Sequence, residues 1–312
     1  MSGKGKGRFG KFRFCLSYIG YRTAIAILAR LPLWFTRPLG KWLAYAFFAR
    51  GGRRVDYMLI NMRIAFPDWG EDVLRRVGRE TFVSLAWNLI DLARSSRWDL
   101  DQIEEHIAFE GFENLKTAMA RGKGAMLLTL HMGNFEIGAL GASLADVDFT
   151  AVGRPMTNPY TREYVFKQRE RMGANMVVQR NVAPQILRAL KKGHAVPVLN
   201  DQYVRPERGV MARLFGVRCS TSHGIAALAL RSGAAIVPVY ALRKGEEDLH
   251  RIIFLPEIPV RELEDKAATI QRITEDCNAV LEELIREHPE QWLWSHRRFR
   301  YSPDLPENLY GT

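Results

Sequence analysis

The chain has 312 residues, 47% of them hydrophobic, an ordinary value for a globular protein that excludes disorder as its general state. Lys and Arg number 45 against 34 acids, and the net charge of +11 favours an anionic partner: a phospholipid surface, a phosphorylated substrate, an acidic protein or nucleic acid. Cys15, Cys219 and Cys277 stand far apart without a C-x-x-C pair, which argues against a disulfide framework or a zinc site and fits a reducing compartment.

The N-terminus carries Lys4, Lys6, Arg8, Lys11 and Arg13, followed by a largely apolar stretch from Phe14 to Phe35. A spanning helix needs roughly 20 mostly apolar residues, and an arginine at its centre costs about 2.5–3.5 kcal/mol on insertion scales. Arg22 stands near the middle of the stretch and Arg30 beyond it, so a helix lying in the membrane interface suits it better than a span. Each basic residue near an anionic leaflet adds about 1 kcal/mol. The plainer reading is a basic tail before an ordinary buried helix. No small-residue cleavage site follows a compact apolar core, so no secretory signal peptide is expected. Residues 1–54, closed by Gly51-Gly52-Arg53-Arg54, form a basic, membrane-associating helical region. Residues 55–104 read as helical, with Pro67-Asp68-Trp69-Gly70 as a turn between two helices.

From about residue 105 strands and helices alternate, and residues 105–312 read as one α/β domain. Phe112 to Arg121 reads as a helix, and Ala125 to Leu130 as a buried strand between Gly124 and Gly133. A helix rich in small side chains follows from Phe135 to Leu144. Next come a strand at Phe149–Val152, a helix from Tyr160 to Met172 and a short strand at Met176–Val178. Pro184 to Lys192 reads as a helix and Ala195 to Leu199 as another buried strand. Ser220-Thr221 is expected to cap a small-residue helix ending at Gly233. Strands are expected at Ala235–Leu242 and Arg251–Leu255. The last helix, about Lys266 to Glu287, carries Ile270, Ile273, Cys277, Val280 and Leu284 in a stripe of core packing. The alternation implies a mainly parallel central sheet with helices on both faces.

Gly5-Lys6-Gly7-Arg8-Phe9-Gly10 matches G-x-G-x-x-G, but no strand precedes it, and Phe12 stands where a P-loop needs Ser or Thr. No H-E-x-x-H, no G-x-S-x-G and no zinc-spaced Cys/His pair occurs, so metalloprotease and serine hydrolase readings have no foothold. Nucleic-acid binding is disfavoured too: the charge is spread along the chain, without an RNP, helix-turn-helix or zinc-finger pattern. His131-Met132-Gly133-Asn134-Phe135-Glu136 is the informative stretch. It follows a strand at the sheet edge where open α/β folds bind ligands, and Gly133 allows close approach to the backbone. An imidazole there, with a carboxylate close enough to orient it, can take a proton from a hydroxyl.

The spacing H-x-x-x-x-E resembles the first motif of acyltransferases of the glycerol-3-phosphate acyltransferase type. The fuller string around His131 and Glu136 is similar to the late (secondary) acyltransferases of lipid A biosynthesis, of the lauroyl and myristoyl acyltransferase kind. Further blocks follow in order over roughly residues 105 to 300. They are Glu110–Leu115 leading to Arg121-Gly122-Lys123-Gly124; Gly153-Arg154-Pro155 with Asn158 and Arg169; and Asn200-Asp201-Gln202 with Gly209-Val210 and Phe215-Gly216. Ala234–Val239 and Pro289–Phe299 complete the series. The chain departs mildly at Phe135, where the family often has Trp, and at Cys219, where a small residue is usual.

The resemblance implies a glycerol-3-phosphate acyltransferase-like fold and transfer of a fatty acyl chain from an acyl-carrier-protein thioester to a hydroxyl of a membrane glycolipid. A lipid A precursor is the first choice of acceptor and a mannosylated phosphatidylinositol or another glycolipid the alternative. His131 would be the general base and Glu136 would orient it and stabilise the imidazolium. Asn134, Arg154, Arg169, Asp201 and Gln202 would contact substrate, the two arginines at phosphates of the acceptor or of the carrier's phosphopantetheine. Asp201 and Gln202 could equally cap a helix. No cofactor and no metal is implied. The expected location is the bacterial inner membrane with the catalytic domain on its cytoplasmic face, held by an anionic surface. Trp292, Trp294, Arg297, Arg298 and Arg300 combine aromatic and basic side chains, a pattern of membrane interfaces; the same string could instead pack the last helix onto the domain.

Overall fold

The computed structural model describes residues 8–153, 157–171, 174–178 and 182–311. Four helices come first: α1 (Arg8–Leu28), α2 (Leu33–Arg50), α3 (Arg53–Ala65) and α4 (Glu71–Ser95). The turn at Pro67–Gly70 falls between α3 and α4 as expected, with Trp69 stacked on Phe66 at 3.8 Å. Glu71 and Asp72 place negative charge at the positive end of the α4 dipole. Among the described residues no helix is long and apolar enough to cross a membrane.

The α/β region begins with α5 (Leu100–His106), whose Asp99 and Gln102 form a capping box. There follow β1 (Ile107–Glu110), α6 (Phe112–Met119), β2 (Ala125–Thr129) and α7 (Phe135–Leu140). Next come β3 (Phe149–Gly153), α8 (Pro159–Arg171), β4 (Ala174–Val178), α9 (Val182–Lys191) and β5 (Ala195–Leu199). The hairpin β6 (Gly209–Leu214) and β7 (Val217–Ser222) precedes α10 (Gly224–Ser232), β8 (Ala235–Arg243), β9 (His250–Phe254) and α11 (Lys266–Glu287). Asp265 caps α11 by accepting from the amides of Ala267 and Ala268, and Ile273, Cys277, Leu281 and Leu284 are buried along it.

Two expectations change. Ser220 and Thr221 do not cap a helix; they lie in β7, paired with Met211 and Val210 of β6, and α10 starts later at Gly224. The reason is a two-residue hairpin, Phe215-Gly216, in which both residues have positive φ, +52° and +76°. That conformation matches the twist of the flanking strands and is unusual for Phe. Glu282 of α11 accepts the Phe215 amide hydrogen and helps hold the turn. The helix expected over Phe135–Leu144 ends at Leu140 and passes into a 3₁₀ turn, Gly141–Leu144.

The seven-stranded sheet runs β1-β9-β8-β2-β5-β3-β4. From β8 to β4 neighbouring strands are parallel, while β9 pairs antiparallel with β8 and parallel with β1. Both faces are covered. Met126, Leu128, Val196, Ile236, Tyr240 and Leu242 pack with α3, α10 and α11 on one side. Ala125, Leu127, Ala195, Ala235, Val237 and Val239 pack with Trp98, Leu115, Ile137 and Leu140 on the other. The strict odd–even division is the period-two alternation of a strand buried on both faces. After β2 the chain passes to β3 on one side of the sheet, and after β5 it reaches β8 on the other. The carboxyl ends of β2, β5 and β8 therefore frame the crevice where the direction of winding changes, the place for a site in this class of fold.

Candidate active site

His131 leaves the end of β2 and Asp201 follows β5, so two adjacent parallel strands bring them together across seventy residues of sequence. Asp201 is buried and accepts three hydrogen bonds. His131 Nδ1 lies 2.8 Å from Oδ1, the His131 amide donates to Oδ2 at 3.0 Å, and Trp292 Nε1 donates to Oδ2 at 2.8 Å. Burial pushes the Asp201 carboxyl up, but the His131 charge and these hydrogen bonds outweigh it and hold the group below the usual carboxylate range. An ionised carboxylate only accepts, which assigns the Nδ1 proton to the contact and the lone pair to Nε2. Gln202 stands beside the ring, its Nε2 3.4 Å from both ring nitrogens. Phe135 packs edge-on to the imidazole at 4.9 Å.

The loop that carries His131 is held along its length. Leu293 donates its amide to His131 O at 3.0 Å, Gly133 donates to Gln291 O at 2.9 Å, and Met132 forms a β-bridge with Trp292. Gly133 has φ +51°, and a Cβ there would overlap the carbonyl oxygen of Ala241, so this position accepts only glycine. Asn134 is buried and caps α7: its Oδ1 accepts the Ile137 amide at 3.3 Å and its Nδ2 donates to Asn88 O at 3.0 Å. Both ends of its amide are used inside the protein, so the geometry supports loop positioning where substrate contact was expected.

The carboxylate on His131 Nδ1 is thus Asp201, where the motif reading had given the orienting task to Glu136. Glu136 lies in the first turn of α7. Its charge bears on Tyr21 of α1, whose phenol is pushed up by burial first and then by Tyr164 and Glu136, with Arg22 opposing. The N-terminal helix therefore lies beside the motif. Asn158 ties it there, donating to Phe14 O at 2.8 Å. Arg154 lies outside the described residues, as do residues 1–7 with the first half of the glycine motif; Arg169 lies on α8, its side chain outside the described ones.

The string Trp292–Arg300 belongs mainly to the interior. Trp292, Trp294 and Arg298 are at most 2% exposed, which excludes them from a membrane surface; Arg300 alone of the five is exposed. Arg298 donates to Ser220 O at 3.0 Å and to Thr221 Oγ1, pinning the hairpin to the terminal segment. The sequence reading missed Trp292 as a partner of the carboxylate on His131, although its Trp-x-Trp string sat in a block noted for resemblance. It also missed His296, whose ring lies 4.8 Å from that of Tyr203 and whose pKa burial pushes down to about 4. Cys219 and Cys277 are fully buried and burial raises both thiols, Cys277 to about 12, so neither is a nucleophile. Among the described residues no group of His, Cys, Asp and Glu is placed to hold a metal ion.

Comparison with known proteins gives the family. The family model described as bacterial lipid A biosynthesis acyltransferase matches residues 5–301. The lipid A biosynthesis palmitoleoyltransferase of Escherichia coli (strain K12) is 30% identical over 260 residues, 83% of this chain and 82% of that protein. The lipid A biosynthesis lauroyltransferase of the same strain is 27% identical over 302 residues, 96% of this chain and 95% of that one. The solved 1-acyl-sn-glycerophosphate acyltransferase of Thermotoga maritima aligns over 80% of this chain and 97% of its own, with 15% identity and a TM-score of 0.37. A match over nearly the whole chain, with a histidine held by a buried carboxylate where the sheet changes its direction of winding, makes this protein an acyltransferase of the bacterial lipid A biosynthesis acyltransferase family.

Proposed function

We propose that the protein transfers a fatty acyl chain from an acyl-carrier-protein thioester to a hydroxyl of a lipid A precursor, with His131 as general base. The observation that carries this reading is the Asp201–His131 contact, which leaves Nε2 as the basic nitrogen of a half-buried imidazole at the sheet edge. His131 Nε2 takes the hydroxyl proton as the oxygen attacks the thioester carbonyl. The C–S bond then breaks, and the same proton passes to the departing thiolate. Asp201 fixes the tautomer and stabilises the imidazolium, a service that general-base catalysis converts into about 10²–10⁴-fold in rate. Glu136 adds a second carboxylate on the motif's helix and bears on the α1 side of the site. Gln202, against the ring, is suited to contact the reacting groups. Arg154 and Arg169 are assigned to substrate phosphates, where a planar guanidinium matches phosphate oxygens.

The net charge of +11 suits both an acidic carrier and an anionic acceptor. Seating on the cytoplasmic face of the bacterial inner membrane is supported by the first two helices. Phe12, Leu16, Ile19 and Ile27 on α1 and Trp34, Phe35, Leu39, Trp42, Leu43 and Phe47 on α2 are exposed large hydrophobics at helical spacing.

The test incubates the detergent-solubilised protein with a panel of acyl-carrier thioesters and a tetra- or penta-acylated lipid A precursor, beside the His131→Ala variant. A new acyl ester formed only by the wild type is the expected result. Transfer by His131→Ala at near wild-type rate sinks the general-base assignment. Hydrolysis of the thioester that depends on His131, without transfer, keeps the base and rejects this acceptor.

A further inference from the structure

A chain of polar contacts reaches the back of the catalytic loop from α4, and the chemistry above makes no use of it. Asn88, on α4, donates from Nδ2 to Gly133 O at 2.6 Å, and its main-chain carbonyl accepts Asn134 Nδ2 at 3.0 Å. Its Oδ1 accepts from the guanidinium of Arg243 at the end of β8. Arg243 in turn donates to Asp91 Oδ2 at 2.8 Å and to Ser84 O at 3.2 Å. Asp91 is fully buried and also takes Arg37 of α2 at 2.6 Å. The two ends of the Asn88 amide therefore face unlike partners, a carbonyl and a guanidinium. A flip would set donor against donor and acceptor against acceptor, so the side chain has one orientation.

What that amide holds is the residue two after His131. The nitrogen of Gly133 is fixed by Gln291 O and its carbonyl by Asn88, at a position where a Cβ would overlap the Ala241 carbonyl oxygen. Rotation about this point would swing the preceding backbone and, with it, the imidazole. Misplacement of a reacting group by about 1 Å costs on the order of 100-fold in rate.

We propose that Asn88 is a positioning residue for His131: the α4 amide fixes the Gly133 carbonyl and thereby the approach of the imidazole to the acceptor hydroxyl. The proposal rests on His131 being the base. Asn88→Asp tests it, because the variant keeps an acceptor for Arg243 and the shape of the side chain while replacing the N–H that serves Gly133 with an oxygen. The expected result is a fall in kcat of roughly 10- to 100-fold, with KM for thioester and acceptor within about twofold and the thermal midpoint little changed. Ser84→Ala, one turn earlier on the same helix, removes a buried hydroxyl that has no partner among the described residues and is expected to leave kcat at the wild-type value. Should Asn88→Asp fail to fold, Asn88→Ser, too short to reach Gly133, is read in its place. Wild-type kcat in the folded variant overturns the proposal. His131→Ala in the same assay separates the two ideas: an active His131→Ala removes the base, whereas an inactive His131→Ala beside a fully active Asn88→Asp removes only the role of Asn88.

Discussion

Asp201 accepts from His131 twice and from Trp292 once, inside a shell that leaves it 3% exposed. A carboxylate so buried keeps its charge only through those donors, so its value to the site lies in tautomer and orientation. Asp201→Asn tests this at nearly constant volume. Two of the three donors demand the oxygen of the new amide, which turns its NH₂ toward His131 Nδ1 and drives the ring proton to Nε2. The base is then blocked, and kcat is expected to fall by roughly 10²–10⁴-fold with KM little altered. Single-turnover acyl transfer measures it; a loss under about tenfold would return the orienting role to Glu136. Asp201 was legible in the sequence as a residue after a buried strand, in a block of the family resemblance, and was expected to contact substrate. Its partnership with His131 was not, because it depends on β2 and β5 being neighbours and on Trp292 returning from the far end of the chain.

At the scale of elements, a second buried cluster joins the helical start of the chain to the sheet. Asp91 of α4 lies between Arg37 of α2 and Arg243 of β8, and His250 of β9 sits 3.5 Å from it. That last contact is not an ion pair. Burial, Arg243 and Arg37 push the His250 pKa down to about 3, so the ring is neutral in the folded protein; among the described residues its nitrogens have no hydrogen-bond partner. The sign follows: the unfolded chain binds a proton near pH 6.5 that the folded chain refuses until about pH 3. Stability is whole above about pH 6.5 and declines as pH falls, at a limiting slope on the order of 1 kcal/mol per pH unit from this group. His250→Gln is expected to flatten the decline of the thermal midpoint between about pH 6.5 and pH 4, whatever it does at neutrality. An unchanged slope would place the acid sensitivity elsewhere. The elements themselves were read unevenly. Lys266–Glu287 was legible because Asp265 caps it and an apolar stripe runs its length, and β5 because Ala195–Leu199 is a short apolar run between turns. β1 has four residues, too few for a period to register, and the β6–β7 hairpin turns on a Phe at positive φ, where no turn signal is expected. Asn88 offered no signal either: a mid-helix amide acquires meaning only from the loop packed against it.

For the whole molecule, the question is how a protein without a spanning helix among its described residues reaches a lipid. The exposed apolar side chains answer it by where they gather. They concentrate on α1 and α2, while the buried faces of the same helices contact α4 and α8: Arg37 reaches Asp91, and Tyr18 packs on Tyr160 at 6.0 Å. One side of these helices is therefore committed to protein, and the proposed seating gives the other to the acyl region of a leaflet, with Lys11, Arg13 and Lys41 on the same two helices for its phosphates. Trp34 and Trp42 are 78% and 65% exposed. Seating about 100 Å² of each in the interface is worth roughly 2.5 kcal/mol apiece at about 25 cal/mol per Å². Trp34→Ser with Trp42→Ser is accordingly expected to weaken binding to anionic phospholipid vesicles by roughly 10³–10⁴-fold, read by flotation. Raising salt from about 0.1 M to 1 M should weaken the wild type through its basic residues yet leave the gap between wild type and variant, since screening acts on the charges alone. Turnover separates seating from chemistry. The variant should match the wild type on acceptor dispersed in detergent and fall behind on acceptor held in a bilayer. Equal turnover in the bilayer would mean that another surface brings the site to its substrate.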